Sequence, residues 1–190
     1  MALAEASPAP HVSIRPAQPS DAAALQRWRA EPSVRRHQPL GQLSTADLRS
    51  DIGAHREGDL RRGRGQKFQW IVLIDGLPGG WITLVVTNWE HGLAEIGYAL
   101  STEFQGRGLM ALALGQVLAE LFCASPIERL EARCAAGNLR SHRMLESLGF
   151  RYEGCLRGYF VLNSERVDNH LYALLRTDYL AAAGAAPAPG

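Results

Sequence analysis

The stretch from Glu95 to Met110 constrains this chain more than any other. A run of strand character ends at Leu100, a short glycine-bearing segment follows, and from Leu109 the apolar residues take helical spacing. Leu114, Val117, Leu118, Leu121 and Phe122 stand at offsets 0, 3, 4, 7 and 8, one stripe of a helix. A strand, a tight loop and a helix, followed by the strand Leu130–Cys134, imply a right-handed crossover to a parallel neighbour. The N–H groups of the first helical turn have no intrahelical partners and lie at the positive end of the helix dipole. Gly106 and Gly108 let the backbone come close to a ligand, and Arg107 adds a cation. That combination suits phosphate or pyrophosphate. The same loop also reads as a tight strand–helix turn that needs no ligand.

The rest of the chain is read around this unit. Val12–Ile14 is a short strand. Ser20-Asp21 is a plausible N-cap for a helix to about Ala30, which Pro32 stops. Ser44-Thr45-Ala46-Asp47 opens a second helix to about Glu57, and Gly58–Lys67 is a solvated loop. Phe68–Ile74 and Trp81–Val86 form an antiparallel hairpin around the turn-forming run Asp75–Gly80. Leu93–Leu100 is a third strand of that group. Asn138–Leu148 is a helix closed by Gly149. Tyr152–Leu162 and Arg166–Leu175 are two final strands. The expected fold class is α/β: one domain with a mixed, mostly antiparallel sheet flanked by helices, in the order β-α-α-β-β-β-α-β-α-β-β. The expected boundaries are a disordered tail over 1–10, the domain over 11–181, and a second tail over 182–190, because the Ala/Pro/Gly ends bury too little to offset ordering entropy.

Composition narrows the function classes. Lys+Arg 20 against Asp+Glu 19 leaves a net charge of +1, so no global field draws the chain to nucleic acid or lipid. Hydrophobic residues make up 46% of the chain, enough for a full core, which excludes a disordered chain or a small disulfide scaffold. Cys123, Cys134 and Cys155 form no CxxC pair, and an odd number argues for reduced, buried thiols rather than a disulfide or metal framework. The N-terminus has no basic region before its alanines, so no signal peptide is expected. Leu109–Phe122 is too short and too polar to span a bilayer. A cytoplasmic location follows as the expectation.

Gly106, Gly108 and Ala111 also spell Gly-x-Gly-x-x-Ala, close to a dinucleotide fingerprint. That motif opens its domain and needs an acid at the tip of the next strand. Here it lies past mid-chain, and the next strand ends in Arg133-Cys134-Ala135. Further on, Asn138 is a good N-cap, and Ser141 falls in the first turn behind it.

In this order, Glu95-Ile96-Gly97-Tyr98, Gln105 to Met110, Asn138-x-x-Ser141, Leu148-Gly149-Phe150 and Glu153 to Arg157 resemble the GCN5-related N-acetyltransferases, within them the RimJ/RimL type of protein N-terminal amine acetyltransferases. Asp168 to Tyr172 and Leu174 extend the likeness, which covers roughly residues 12–180. Gln105 and Gly108 match the family's pyrophosphate pattern and Met110 departs from it. The resemblance implies an acyltransferase that uses acetyl-CoA as co-substrate. The amides of Gly106, Arg107, Gly108, Leu109 and Met110 are expected to hold its pyrophosphate, with Gln105 beside them. The strand edge at Ala99, Leu100 and Ser101 is expected to pair with pantetheine. Asn138 contacts the same arm, and Ser141 lies near the sulfur. The implied partner is a primary amine, either a protein N-terminus or a small molecule such as a polyamine or antibiotic. A homodimer is plausible by resemblance, and a catalytically weak acyl-CoA sensor is the alternative to an enzyme.

The chemistry asks for a backbone N–H near Ala99 or Leu100 for the oxyanion, and for Ser141 to return a proton to the thiolate. Glu95 is the candidate base through water; its other reading is a structural strand-end acid. Some RimL-type members carry a glutamate where this chain has Phe160, so that base is missing here. Arg140 and Arg143 are candidates for the CoA phosphates. Of the remaining residues, His37, His55, His91 and the Arg61–Lys67 run read as surface, Trp28 and Tyr98 as core with an acceptor pocket as their other reading, and His142 as pointing away from the cleft. His170, near Asp168, is a weak candidate for the site.

Overall fold

Side-chain alternation in the apolar strands gives the sheet two faces to cover. The computed structural model describes residues 9–184. Its strands are β1 (Val12–Pro16), β2 (Lys67–Ile74), β3 (Leu77–Asn88), β4 (Leu93–Leu100), β5 (Arg129–Ala135), β6 (Arg151–Leu162) and β7 (Glu165–Leu175). The helices are α1 (Ala22–Ala30), α2 (Pro32–Arg35), α3 (Thr45–Ala54), α4 (Leu109–Ala124), α5 (Leu139–Ser147) and α6 (Arg176–Ala182). The strands form one sheet in the order β1-β2-β3-β4-β5-β7-β6. Only β4 and β5 run parallel, joined by the α4 crossover; the other pairs are antiparallel. This is the single α/β domain expected from the sequence.

The two faces bury different helices. Ala94, Ile96 and Leu100 of β4 join Ile82 and Leu84 of β3 in the core under α4 and α5. Ile71, Trp81 and Ala99 point the other way and pack with Leu25, Trp28, Val34, Leu48 and Ile52 from α1, α2 and α3. Trp28 stacks on Trp81 with ring centroids 6.5 Å apart, so its reading as core holds.

Several expected boundaries shift. Pro32 does end α1, but it also starts α2 at its first position, where a missing N–H costs nothing. The helix α3 stops at Ala54 rather than near Glu57. The hairpin turn is only Asp75-Gly76, with φ of 50° and 80°, so β3 begins at Leu77. Gly79 and Gly80 lie inside β3, where the backbone passes close to β4: a Cβ on Gly80 would stand 2.4 Å from the Ala99 carbonyl oxygen. Asp21 stands at the expected N-cap position of α1, but its side chain makes no capping bond there. Its carboxylate accepts the Gln18 N–H at 2.8 Å and a bidentate pair from Arg15 at 2.7 Å. The helix α6 was not expected, and it carries regular structure one residue beyond the expected end of the domain at 181. Residues 1–8 and 185–190 of the expected tails lie outside the described residues. Cys134 is buried, whereas Cys123 and Cys155 are exposed, contrary to the expectation of three buried thiols. No helix among the described residues is long and apolar enough to cross a membrane.

One irregularity sets up the site. The parallel pair joins only Leu93–Ile96 to Arg129–Ala132. Both strands continue, β4 to Leu100 and β5 to Ala135, each still paired on its outer side. The sheet therefore splits between β4 and β5 from Gly97 and Arg133 onward.

Candidate active site

A strand pointing into a split has backbone groups without partners, and this is true of the free edge of β4. Ser101 donates its N–H to the Gly79 carbonyl of β3 at 2.8 Å. Alternation then turns Ala99 toward β3 as well, and turns Tyr98 and Leu100 toward the split. Of the three residues expected to line this edge, Leu100 is the one whose N–H faces the gap. The two carbonyls on the same edge are capped by side chains. Gln38 Nε2 donates to the Tyr98 oxygen at 2.8 Å, and Gln105 Nε2 donates to the Leu100 oxygen at 2.8 Å. With its flanking acceptors engaged, the edge presents Leu100 N–H as a donor to the gap.

At the open end of the split, Gly106 and Gly108 take φ of 79° and 73°, the left-handed region that favours glycine. A Cβ on either would meet nothing within 4 Å, so neither glycine is required by protein packing. Gly108 is the N-cap of α4, makes no side-chain cap, and is followed by no acid in the first turn. Ala111 N–H returns to the Gly108 carbonyl at 3.1 Å, which leaves the Leu109 and Met110 amides outside the helical ladder. An open, uncapped helix start flanked by left-handed glycines fits the pyrophosphate of acetyl-CoA. The side chain of Gln105 braces this loop, since its amide also reaches Ser33 Oγ at 3.1 Å. Arg140 and Arg143 lie exposed on α5.

Across the split stands α5. Asn138 caps it as expected, its Oδ1 accepting the Ser141 N–H at 3.3 Å. Ser141 is buried, and its hydroxyl lies 2.7 Å from the Tyr98 hydroxyl. Tyr98 is thus more than a core residue. Burial raises its phenol above the usual tyrosine range, against the opposing hydrogen bond with Ser141. Cys134 of β5 is buried on the same side of the sheet, and burial pushes its thiol up to about 11, against a lowering influence of Ser141. Sequence reasoning missed this partnership because Tyr98 and Ser141 are 43 residues apart. His142, expected to point away, is buried instead, its Nε2 3.2 Å from the Ala135 carbonyl and its ring 4.8 Å from that of His170.

Glu95 lies on the opposite face of β4, at the closed end of the split, where the last rows pair it with Glu131 and Ile96 with Ala132. Its carboxylate meets Arg133 at 2.8 Å. Burial raises its pKa; Arg133 opposes this and Glu131 adds to it, leaving the carboxyl above its ordinary range. Arg133 also donates to Tyr159 Oη at 2.8 Å and lies over that ring. Tyr159 comes from a bulge in β6 between Leu156 and Phe160, pinned where Gly158 N–H donates to Asp168 at 2.8 Å. Phe160, where the family base is absent, pairs with Val167 just beyond this bulge. Asn169, 2% exposed on the same face, has an Oδ1 with no partner among the described residues.

The acetyltransferase (GNAT) domain family matches residues 11–151. Among curated proteins, the putative ribosomal N-acetyltransferase YdaF of Bacillus subtilis is 30% identical over 175 residues, covering 89% of this chain and 93% of that protein. Among solved structures, Mycobacterium smegmatis RimJ in complex with CoA-disulfide is similar at a TM-score of 0.75 and 27% identity, covering 91% of this chain and 89% of its own. Spermidine N-acetyltransferase from Vibrio cholerae in complex with CoA and spermine shares the fold at a TM-score of 0.78 and 19% identity, covering 89% and 98%.

Proposed function

We propose, for a chain that belongs to the GNAT acetyltransferase family, a protein N-terminal α-amine as the acetyl acceptor. As a family member the protein is an acyltransferase that moves an acetyl group from acetyl-CoA to an amine nitrogen. Those relatives include acceptors of both kinds, ribosomal-protein and polyamine, so the acceptor is argued from the cleft.

The observation that carries this reading is the pairing of the carboxylates that β4, β5 and β6 carry on the face opposite α5. Glu95 is held by Arg133, Glu131 by Arg129 and Arg133, and Glu153 by Arg129. Arg35 and Arg36 stand exposed beside the same face. A polyamine carries several positive charges and needs unpaired carboxylates to hold them. A peptide N-terminus brings one ammonium and requires no such lining. Acidity supports the same acceptor: an α-amine has a pKa of about 8 against about 10.4 for a lysine-type amine, so it sheds its proton at neutral pH more readily.

Each step has a residue suited to it. Acetyl-CoA supplies the thioester whose carbonyl the amine attacks. The amides from Gly106 to Met110 hold its pyrophosphate, and Leu100 N–H receives the carbonyl oxygen as it becomes an oxyanion. Glu95, ion-paired but raised by burial, takes the amine proton through water. Ser141 returns a proton to the departing thiolate, with the Tyr98 hydroxyl behind it.

A thiol-release screen across N-terminal peptides, polyamines and aminoglycosides tests the acceptor. Turnover is expected to be highest with peptides; a polyamine with the higher kcat/KM overturns the reading. Acetyl-CoA binding without turnover on any amine favours the sensor.

A further inference from the structure

Gln38 spans from the helical face of the sheet to the reacting edge of β4, and its side-chain chemistry leaves one atom unused. Its backbone is held firmly. Pro39 follows it, restricting its conformation, and Leu40 N–H closes back onto the Gln38 carbonyl at 2.8 Å in a three-residue turn. Leu40 packs against the cluster beneath α1 and α3. From this anchor the side chain reaches the Tyr98 carbonyl oxygen at 2.8 Å. Only the amino group of a carboxamide can donate to a carbonyl, so this contact sets which way the amide lies. Among the described residues no group donates to the Oε1 oxygen, and the residue is only half-buried, so this acceptor is available to a substrate.

The location gives that oxygen a use. Tyr98 and Leu100 turn toward the same split, so the amide of Gln38 is anchored one alternation away from the proposed oxyanion donor. Gln38 arrives from the side of α1, α2 and α3, whereas Ser141 and the α4 loop lie on the other face. The thiol end of the cleft is therefore on the α5 side, and the amine approaches from the side of Gln38. The cation Arg133, on the Glu95 face of the sheet, is engaged with Glu95, Glu131 and Tyr159, and offers no acceptor.

We infer that Gln38 Oε1 accepts a hydrogen bond from an N–H of the primary amine being acetylated, holding its nitrogen beside the Leu100 amide. This rests on the acetyltransferase reading above and adds a residue to its acceptor subsite. It places Gln38 in contact with the amine substrate, with Glu95 farther back along β4, where that strand is still paired with β5.

Two variants test it, using whichever peptide or polyamine the wild-type enzyme turns over best. Gln38→Met keeps length and removes both polar atoms; Gln38→Glu keeps an acceptor oxygen and loses the donor to Tyr98. Gln38→Met is expected to raise the acceptor KM at least tenfold, with the calorimetric acetyl-CoA affinity within twofold of wild type and the melting temperature unchanged. Gln38→Glu is expected to bring the acceptor KM back to within threefold. A wild-type acceptor KM in Gln38→Met overturns the inference. So does a parallel loss of acetyl-CoA affinity or melting temperature in both variants, which would make Gln38 a brace for β4 only. Absence of turnover by the wild-type enzyme on every amine would instead overturn the acetyltransferase reading on which this rests.

Discussion

The hydroxyls of Tyr98 on β4 and Ser141 on α5 lie 2.7 Å apart, where α5 stands across the β4–β5 split. This contact joins the strand that carries the proposed oxyanion donor to the helix that carries the proposed proton donor. Because either oxygen can donate, the pair can pass a proton in one direction, from phenol to serine to thiolate. Ser141→Ala is expected to lower kcat by about 10–100-fold with little change in acetyl-CoA affinity. Tyr98→Phe is expected to lower it by about tenfold. If the two act as a unit, the double variant falls within about threefold of Ser141→Ala alone. Steady-state kinetics, under conditions where chemistry limits the rate, check all three; fully multiplicative losses would separate the two residues.

The α4 start predicts a clean loss of binding. Gly108 sits at φ 73° with open space where its Cβ would be. Gly108→Asp puts a carboxylate there while disturbing no packed neighbour. Calorimetric titration is expected to find no acetyl-CoA binding to a variant whose circular dichroism matches wild type. Retained affinity would remove the pyrophosphate from this loop.

Glu95 predicts a pH signature. Glu95→Gln keeps shape and removes the proton acceptor, so kcat/KM at neutral pH is expected to fall about 10²-fold. The loss should shrink as pH rises, because the free amine becomes abundant without help. Arg133 pulls the Glu95 carboxyl down against burial. Arg133→Met is therefore expected to raise that pKa further and move the acid limb of the profile to higher pH. Identical pH profiles for wild type and Glu95→Gln would leave Glu95 as a structural acid.

Stability has its own titration. Burial alone would raise the Asp21 carboxyl, but the hydrogen bonds from Arg15 and the Gln18 amide outweigh it and hold the carboxyl below its usual range. A carboxyl depressed in the folded state stabilises above its unfolded pKa, and the contribution disappears as pH falls through the folded value. Asp21→Asn is expected to cost about 2 kcal/mol at neutral pH. Urea unfolding should find that difference shrinking below about pH 4. A difference that persists unchanged in acid would mean the loss is one of shape rather than charge.

Much of this protein was legible in the residues themselves. Local signals place a strand ending near Leu100, glycines at 106 and 108, an amphipathic helix after them and an Asn138 cap, because each depends on neighbours within a few positions. The family likeness in those same blocks led to acetyl-CoA. Boundaries set by packing were less legible: α6 and the extension of β3 through Gly79 and Gly80 depend on what the chain folds against. The split between β4 and β5 has no signature in either strand, since both read as ordinary strands that pair on their outer sides. Only the tertiary structure brought Tyr98 to Ser141, Arg133 to Glu95, and Gln38 to the Tyr98 carbonyl. Those pairs are separated by 43, 38 and 60 positions. A side chain's spacing in the sequence tells which face of its own element it occupies, but which group it meets there depends on how distant elements cross.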